Sequence, residues 1–330
     1  MNKTVLAILE ILDKYSDIVG SREISRRLKI HGIDLTERAV RYHLKILDAH
    51  GYTEVFGKEG RRIMDKGRQE LKHAMISQKV GFVISRIETL SYLTTLNLDT
   101  MAGKVILNIS CFPEKRLNEV LKILKPIFSS PYLMSDKIAI ARGGESIGDV
   151  SIPHGKIGVG TVCSVTINGM FLKAGIPVTS RFGGVVEISD GRLLRFISLV
   201  SYEGSSLDPH DIFIRSKMTD VLGAVKKRNG KILASFREIP VVCMDEAKKL
   251  AKRMEERGIG GILLIGSPNK PLLEMPVAID RAGMVIVGGL NPISALEESG
   301  IPTESTAMST LYKYAGMKGF RDAVKELDKY

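Results

Sequence analysis

The feature that most constrains this chain is a passage written twice. Residues 160–184 read GTVCSVTINGMFLKAGIPVTSRFGG, and residues 283–302 read GMVIVGGLNPISALEESGIP. Gly160 matches Gly283, Asn168 matches Asn291, and Gly175-Ile176-Pro177 matches Gly300-Ile301-Pro302. Upstream, Gly103-Lys104-Val105-Ile106-Leu107 with Pro113 beyond it matches Gly230-Lys231-Ile232-Leu233 with Pro240 beyond it. The offset stays at about 125 residues, and four landmarks kept in order favour an internal duplication over the likeness that all strand–helix sequences share. Within each copy a β-branched run (Val162, Val165, Ile167) predicts a buried strand. Asn then caps a short helix, and Gly and Pro end it. In the second copy Pro292 stands at the first helical position, where its missing N–H costs nothing.

The first 66 residues have a different grammar. Val5, Leu6, Ile8, Leu9, Ile11 and Leu12 give one amphipathic helix, and Ser21 opens a second. The turn falls at His31 to Asp34, and Thr36 caps a third helix. Val40, Leu44 and Leu47 share one face of that helix, and Arg38, Arg41, Tyr42 and Lys45 the other. A strand at Tyr52–Phe56 leads to a hairpin tip that carries Lys58, Arg61 and Arg62. Three helices and a basic hairpin predict a winged helix-turn-helix. Thr36, Arg38, Arg41, Tyr42 and Lys45 are then placed to enter a major groove, and Lys58, Arg61 and Arg62 to neutralise phosphates. The net charge of +11 agrees with an anionic partner such as double-stranded DNA, although diffuse solubility charge gives the same sum. A winged helix that only binds protein is the alternative.

The chain therefore divides into a winged helix-turn-helix at 1–66, a helical connector at 67–100 and a regulatory, effector-binding domain at 101–330, a mixed α/β (α+β) architecture with two related halves in the last. The connector stripe (Leu71, Ala74, Met75, Val80, Val83, Ile84, Ile87, Leu90) reads equally as a dimer helix and as a helix packed on its own chain.

No phosphate loop, HExxH, GxSxG or strand–GxGxxG–helix occurs, and the six histidines do not pair at metal-ligand spacing. His154 reads as a turn residue, and Cys163 as a small buried apolar residue without an adjacent base. Three scattered cysteines argue against a disulfide framework or a zinc site and for a reducing cytoplasm, and the longest apolar run, near Ala282 to Leu290, is half a membrane span. No enzyme activity, cofactor or metal is expected. What the region offers instead is glycine pairs and two helix N-termini, which favour carboxylate or phosphate, with Arg181 beside them. The residues assigned to an anion pocket are Cys163, Ser164, Asn168, Arg181, Gly183, Gly184, Gly289 and Asn291; each glycine pair reads equally well as a turn.

Several stretches resemble the archaeal global nitrogen repressor family, the NrpR type: Val80–Glu88, Gly160–Gly169, Ser180–Gly184, Gly204–Pro209 and Val287–Pro292. The resemblance implies a repressor of nitrogen-fixation and ammonia-assimilation genes that binds an inverted-repeat operator and is released by 2-oxoglutarate, a dicarboxylate. Some members carry two regulatory domains, whereas this chain has room for one. A homodimer is expected, with or without a second chain of the family. The rival readings are an enzyme with its own winged-helix module acting on a small carboxylate, and a DNA-binding scaffold that takes no ligand.

Overall fold

The computed structural model describes residues 3–14, 18–30, 33–74 and 81–327. The chain forms two compact units, residues 1–80 and 81–330.

In the first unit, helices α1 (Lys3–Lys14), α2 (Ser21–Ile30) and α3 (Glu37–Ala49) precede a hairpin of β1 (Thr53–Phe56) and β2 (Gly60–Ile63), and α4 (Asp65–Ala74) follows. Ile8, Leu9, Ile24, Leu28, Val40, Leu44, Leu47, Ile63 and Leu71 make one core, each worth about 1.5–3 kcal/mol of burial. The Thr36 hydroxyl accepts from the Ala39 N–H at 3.3 Å, so the predicted cap is present. His31 and Gly32 of the predicted turn lie outside the described residues.

The connector assigned to 67–100 is not one element among the described residues. Leu71 of α4 joins the core of the first unit. Helix α5 (Phe82–Leu93) belongs to the second unit, where Val83 and Ile87 pack with Ile106, Cys163 and Met308. Leu71, Val83 and Ile87 of the stripe are thus buried in two different cores of the chain itself, as the packed reading expects. Met75 and Val80 lie outside the described residues.

The second unit continues with β3 (Lys104–Pro113), α6 (Leu117–Ile127), β4 (Lys137–Arg142), β5 (Ser146–Ile147), β6 (Val150–Ser151), β7 (Lys156–Val162), α7 (Val165–Lys173), β8 (Thr179–Ser189) and β9 (Arg192–Ser201). After α8 (Pro209–Arg215) and α9 (Val221–Lys227) come β10 (Gly230–Pro240), α10 (Met244–Glu256), β11 (Ile262–Ile265), β12 (Arg281–Val287), α11 (Asn291–Glu298), β13 (Glu304–Lys313), β14 (Lys318–Gly319) and α12 (Phe320–Leu327). Two five-stranded sheets run β13-β3-β7-β4-β14 and β11-β12-β10-β8-β9, with every pair antiparallel.

The duplication is visible in these orders. Strand β3 corresponds to β10, β7 to β12, β4 to β11, and β8 to β13. Yet β8 pairs with β10 and β13 pairs with β3. Each half therefore hands its last long strand to the sheet of the other.

The structure also corrects two details read from sequence. The first copy's strand ends at Val162, and Val165 and Ile167 belong to α7, which starts three residues before Asn168; a short apolar run does not distinguish a strand from a buried helix. The register of the repeat moves as well. Pro113 faces Lys156 and Pro240 faces Arg281, which makes Gly158, not Gly160, the counterpart of Gly283. Further on, the Thr166 hydroxyl accepts from the Ile106 N–H at 3.2 Å, and the Asn291 carboxamide accepts from the Leu233 N–H at 2.8 Å. Thr166, not Asn168, is the partner of Asn291.

Candidate functional site

Two sites emerge, one in each unit. On α3, Val40, Leu44 and Leu47 are sealed in the core, and this forces Arg38, Arg41, Tyr42 and Lys45 outward. All four are exposed, Tyr42 at 65%. Glu37 at the start of the helix holds Arg41 at 2.5 Å and takes a 3.0 Å bond from Ser21. The Arg41 bond, with Ser21 second, keeps the Glu37 carboxyl below the usual carboxylate range. At the hairpin, Lys58 is exposed and Arg62 stacks 4.6 Å from the Phe56 ring. Arg61 departs from its expected role. Its guanidinium lies 2.8 Å from Asp48, and its backbone bridges Val19. It pins the hairpin to α3 and is not a free wing cation.

In the second unit, an open cleft of about 640 Å³ is lined by Ile87 and Ser91 of α5, Asn168 of α7, and Ser180, Arg181 and Phe182 of β8. Asn168 donates to the Ser180 hydroxyl at 3.0 Å. Behind Asn168 stands a residue that sequence reading missed. Arg237 of β10 is 1% exposed. Its Nη1 donates to the Ser164 carbonyl at 2.9 Å and to the Asn168 carboxamide oxygen, and its Nη2 donates to the Ser164 hydroxyl at 2.8 Å. Its Nε has no partner among the described residues. Burial lowers the guanidinium pKa from its ordinary value. The adjacent charges Arg237 and Glu238 inside the otherwise largely apolar stretch Ile232–Ile239 were the signal available in the sequence.

The other residues assigned to the anion pocket are not gathered into it. Cys163, Ser164 and Gly289 line a separate internal void of about 10 Å³, room for a single water. Burial pushes the Cys163 thiol up to about 12, so it is no thiolate nucleophile. Gly183 and Gly184 are packing glycines: a Cβ would meet Pro209 at 2.6 Å in one case and the Ser198 carbonyl at 2.6 Å in the other. Gly289 lies against the Val162 carbonyl, where a Cβ would come within 2.4 Å. Asn291 is 0% exposed and spends its carboxamide on Leu233 and Tyr132. Asn168 and Arg181 alone reach the cleft, and Arg181 Nε stands 3.8 Å from the buried Glu238. Among the described residues no group of three or more His, Cys, Asp or Glu is placed to hold a metal, and no helix is long and apolar enough to cross a membrane.

The profile of the family described as NrpR regulatory domains NRD1 and 2 matches residues 80–319. The chain belongs to the NrpR family. The resemblance expected from the motifs is thus borne out. A profile described as the Ribonuclease R winged-helix domain matches residues 6–71, over the three helices and hairpin of the first unit. Among NrpR relatives, the global nitrogen regulator NrpRI of Methanosarcina mazei is 39% identical over 96% of this chain and 98% of its own length. The global nitrogen regulator NrpR of Methanococcus maripaludis is 32% identical, and the match spans 98% of this chain but 57% of that protein. A crystal structure of a nitrogen repressor-like protein from Methanococcus jannaschii superposes with a TM-score of 0.61 at 31% identity, covering 72% of this chain and 98% of that one.

Proposed function

We propose that this NrpR-family chain is a DNA-binding repressor of nitrogen-assimilation and nitrogen-fixation genes whose hold on DNA is set by 2-oxoglutarate. The observation that carries the reading is one chain with both a reading helix, cationic on its exposed face, and a cleft backed by a buried cation. The relatives' names as global nitrogen regulators supply the physiological setting. Two copies related by a two-fold axis match the two half-sites of an inverted repeat. A second chain of the family is a further partner, since longer relatives extend well beyond the length matched here.

Arg38, Arg41, Tyr42 and Lys45 read bases, and Lys58 and Arg62 contact phosphates. 2-oxoglutarate occupies the cleft and favours a dimer geometry that cannot span both half-sites. The shift in DNA affinity equals the ligand's differential affinity for the two geometries and no more. Helix α5, the first element of the second unit, lines the cleft.

The test is DNA affinity on a nitrogen-assimilation promoter, at fixed salt because phosphate contacts are salt-dependent, with and without millimolar 2-oxoglutarate. Specific binding weakened by 2-oxoglutarate but not by succinate or glutamate is the expected result. Indifference to 2-oxoglutarate overturns the effector assignment. Arg41→Ala is expected to cost about 1–3 kcal/mol of specific binding, the value of a base contact.

A further inference from the structure

We propose that Arg237 is the anchor for one carboxylate of the cleft's ligand, which takes the place of the Asn168 carboxamide oxygen at its guanidinium. This rests on the reading that the cleft binds a small dicarboxylate, and it names the residue that does the binding.

The first argument is electrostatic. A guanidinium sealed from water wants a counter-charge. Arg237 meets only neutral acceptors, the Ser164 carbonyl, the Ser164 hydroxyl and the Asn168 carboxamide. Its Nε–H meets none among the described residues. A carboxylate in place of the carboxamide turns a charge–dipole contact into an ion pair, the planar, bidentate partner for which a guanidinium is shaped.

The second argument is access. Asn168 and Ser180 are part of the cleft wall, and they bond to each other. Among the described residues, Asn168 is the side chain of the cleft wall that hydrogen-bonds to Arg237. Turning it aside opens the cation to a ligand in the cleft. The half-exposed Arg181 on the same wall offers a second cationic point, which suits a ligand with two carboxylates.

The third argument comes from the duplication. Arg237 of the second half meets Asn168 of the first and pairs in register with its Ser180; the equivalent positions are Ser110 of the first half with Ile293 and Ser305 of the second. There Ser305 bonds directly to Ser110 at 2.9 Å. The scaffold thus closes without any cation at this position. The arginine is an addition to the fold, and its burial without a counter-charge is left to be explained by what it binds.

The experiment replaces Asn168 by its isostere in the full chain. Asn168→Asp supplies an internal carboxylate to Arg237. The variant is expected to melt higher than wild type without ligand and to lose at least about 30-fold in 2-oxoglutarate affinity by calorimetry, because the anchor is already taken. Arg237→Met is expected to lose 2-oxoglutarate binding by the same order without the gain in melting temperature. Wild-type affinity for 2-oxoglutarate in either folded variant overturns the anchor while the effector reading stands. No binding of 2-oxoglutarate to the wild-type chain at millimolar concentration overturns both.

Discussion

The two halves of the regulatory unit share a frame and differ in chemistry. Apart from the short β5–β6 hairpin of the first, both run strand, helix, two strands, helix, strand, and both clamp the start of the last helix to the first strand by one side chain, Thr166 to Ile106 and Asn291 to Leu233. At the matching floor position one half has Ser110 and the other Arg237. The helix above carries Asn168 in one half and the fully buried Ile293 in the other. The difference teaches that the repeat supplies backbone and core, while function is concentrated in the few positions where the copies diverge.

That comparison can be broken in four ways, beginning with the largest effect. Ser110→Arg puts a cation at the equivalent floor position on β3, where Ile293 stands in the place of Asn168. An unpaired buried charge costs about 3–5 kcal/mol, so calorimetry should show the melting temperature of the regulatory unit lowered by roughly 10 °C. Next come the clamps. Asn291→Ala strands the Leu233 N–H and is expected to cost about 1–3 kcal/mol, and Thr166→Val the lower part of that range, because Asn291 makes more bonds. Urea unfolding of each variant measures both.

A third prediction concerns Asp211 on α8, in the segment between the halves that has no counterpart in the second. Burial first, and Asp208 second, raise its carboxyl pKa to about 7. Its unfolded value is about 3.9. Between those values the folded chain holds a proton that the unfolded chain has released, so this group's stabilisation is complete below about pH 4 and is lost as pH rises to about 7. Asp211→Asn should flatten that slope in urea titrations run from pH 5 to pH 8. The smallest effect is chemical. Cys163, where the other half has Gly288, should resist alkylation at pH 8 in the native chain and react once it is unfolded, as mass spectrometry of labelled peptides would show.

Much of the first unit was legible because its signals are local. The 3-4 spacing of Val40, Leu44 and Leu47 fixes which way Arg38, Arg41, Tyr42 and Lys45 point. Arg61 was misread because its partner, Asp48, is brought to it by the hairpin fold and not by sequence spacing. In the second unit the repeat itself was legible but its register was not. Glycine and asparagine matches drew the alignment to Gly160 and Asn168, whereas the strand ladders that decide it are long-range. The glycines of β8 read as room for a ligand, and only the packed structure shows Pro209 and Ser198 against them. Arg237 escaped notice because the charged pair Arg237-Glu238 in a largely apolar strand announces an oddity without naming the neighbours of either residue.

The exchange of β8 and β13 between sheets has a consequence for descent. A chain of half this length would keep its own first strands but lack the strand that completes their sheet. Two such chains could each complete the other, which makes an intertwined homodimer the natural ancestor of the regulatory unit. Joined in one chain, the two copies need no longer match, and at the equivalent positions one floor now carries a buried cation and the other a serine beside a buried isoleucine.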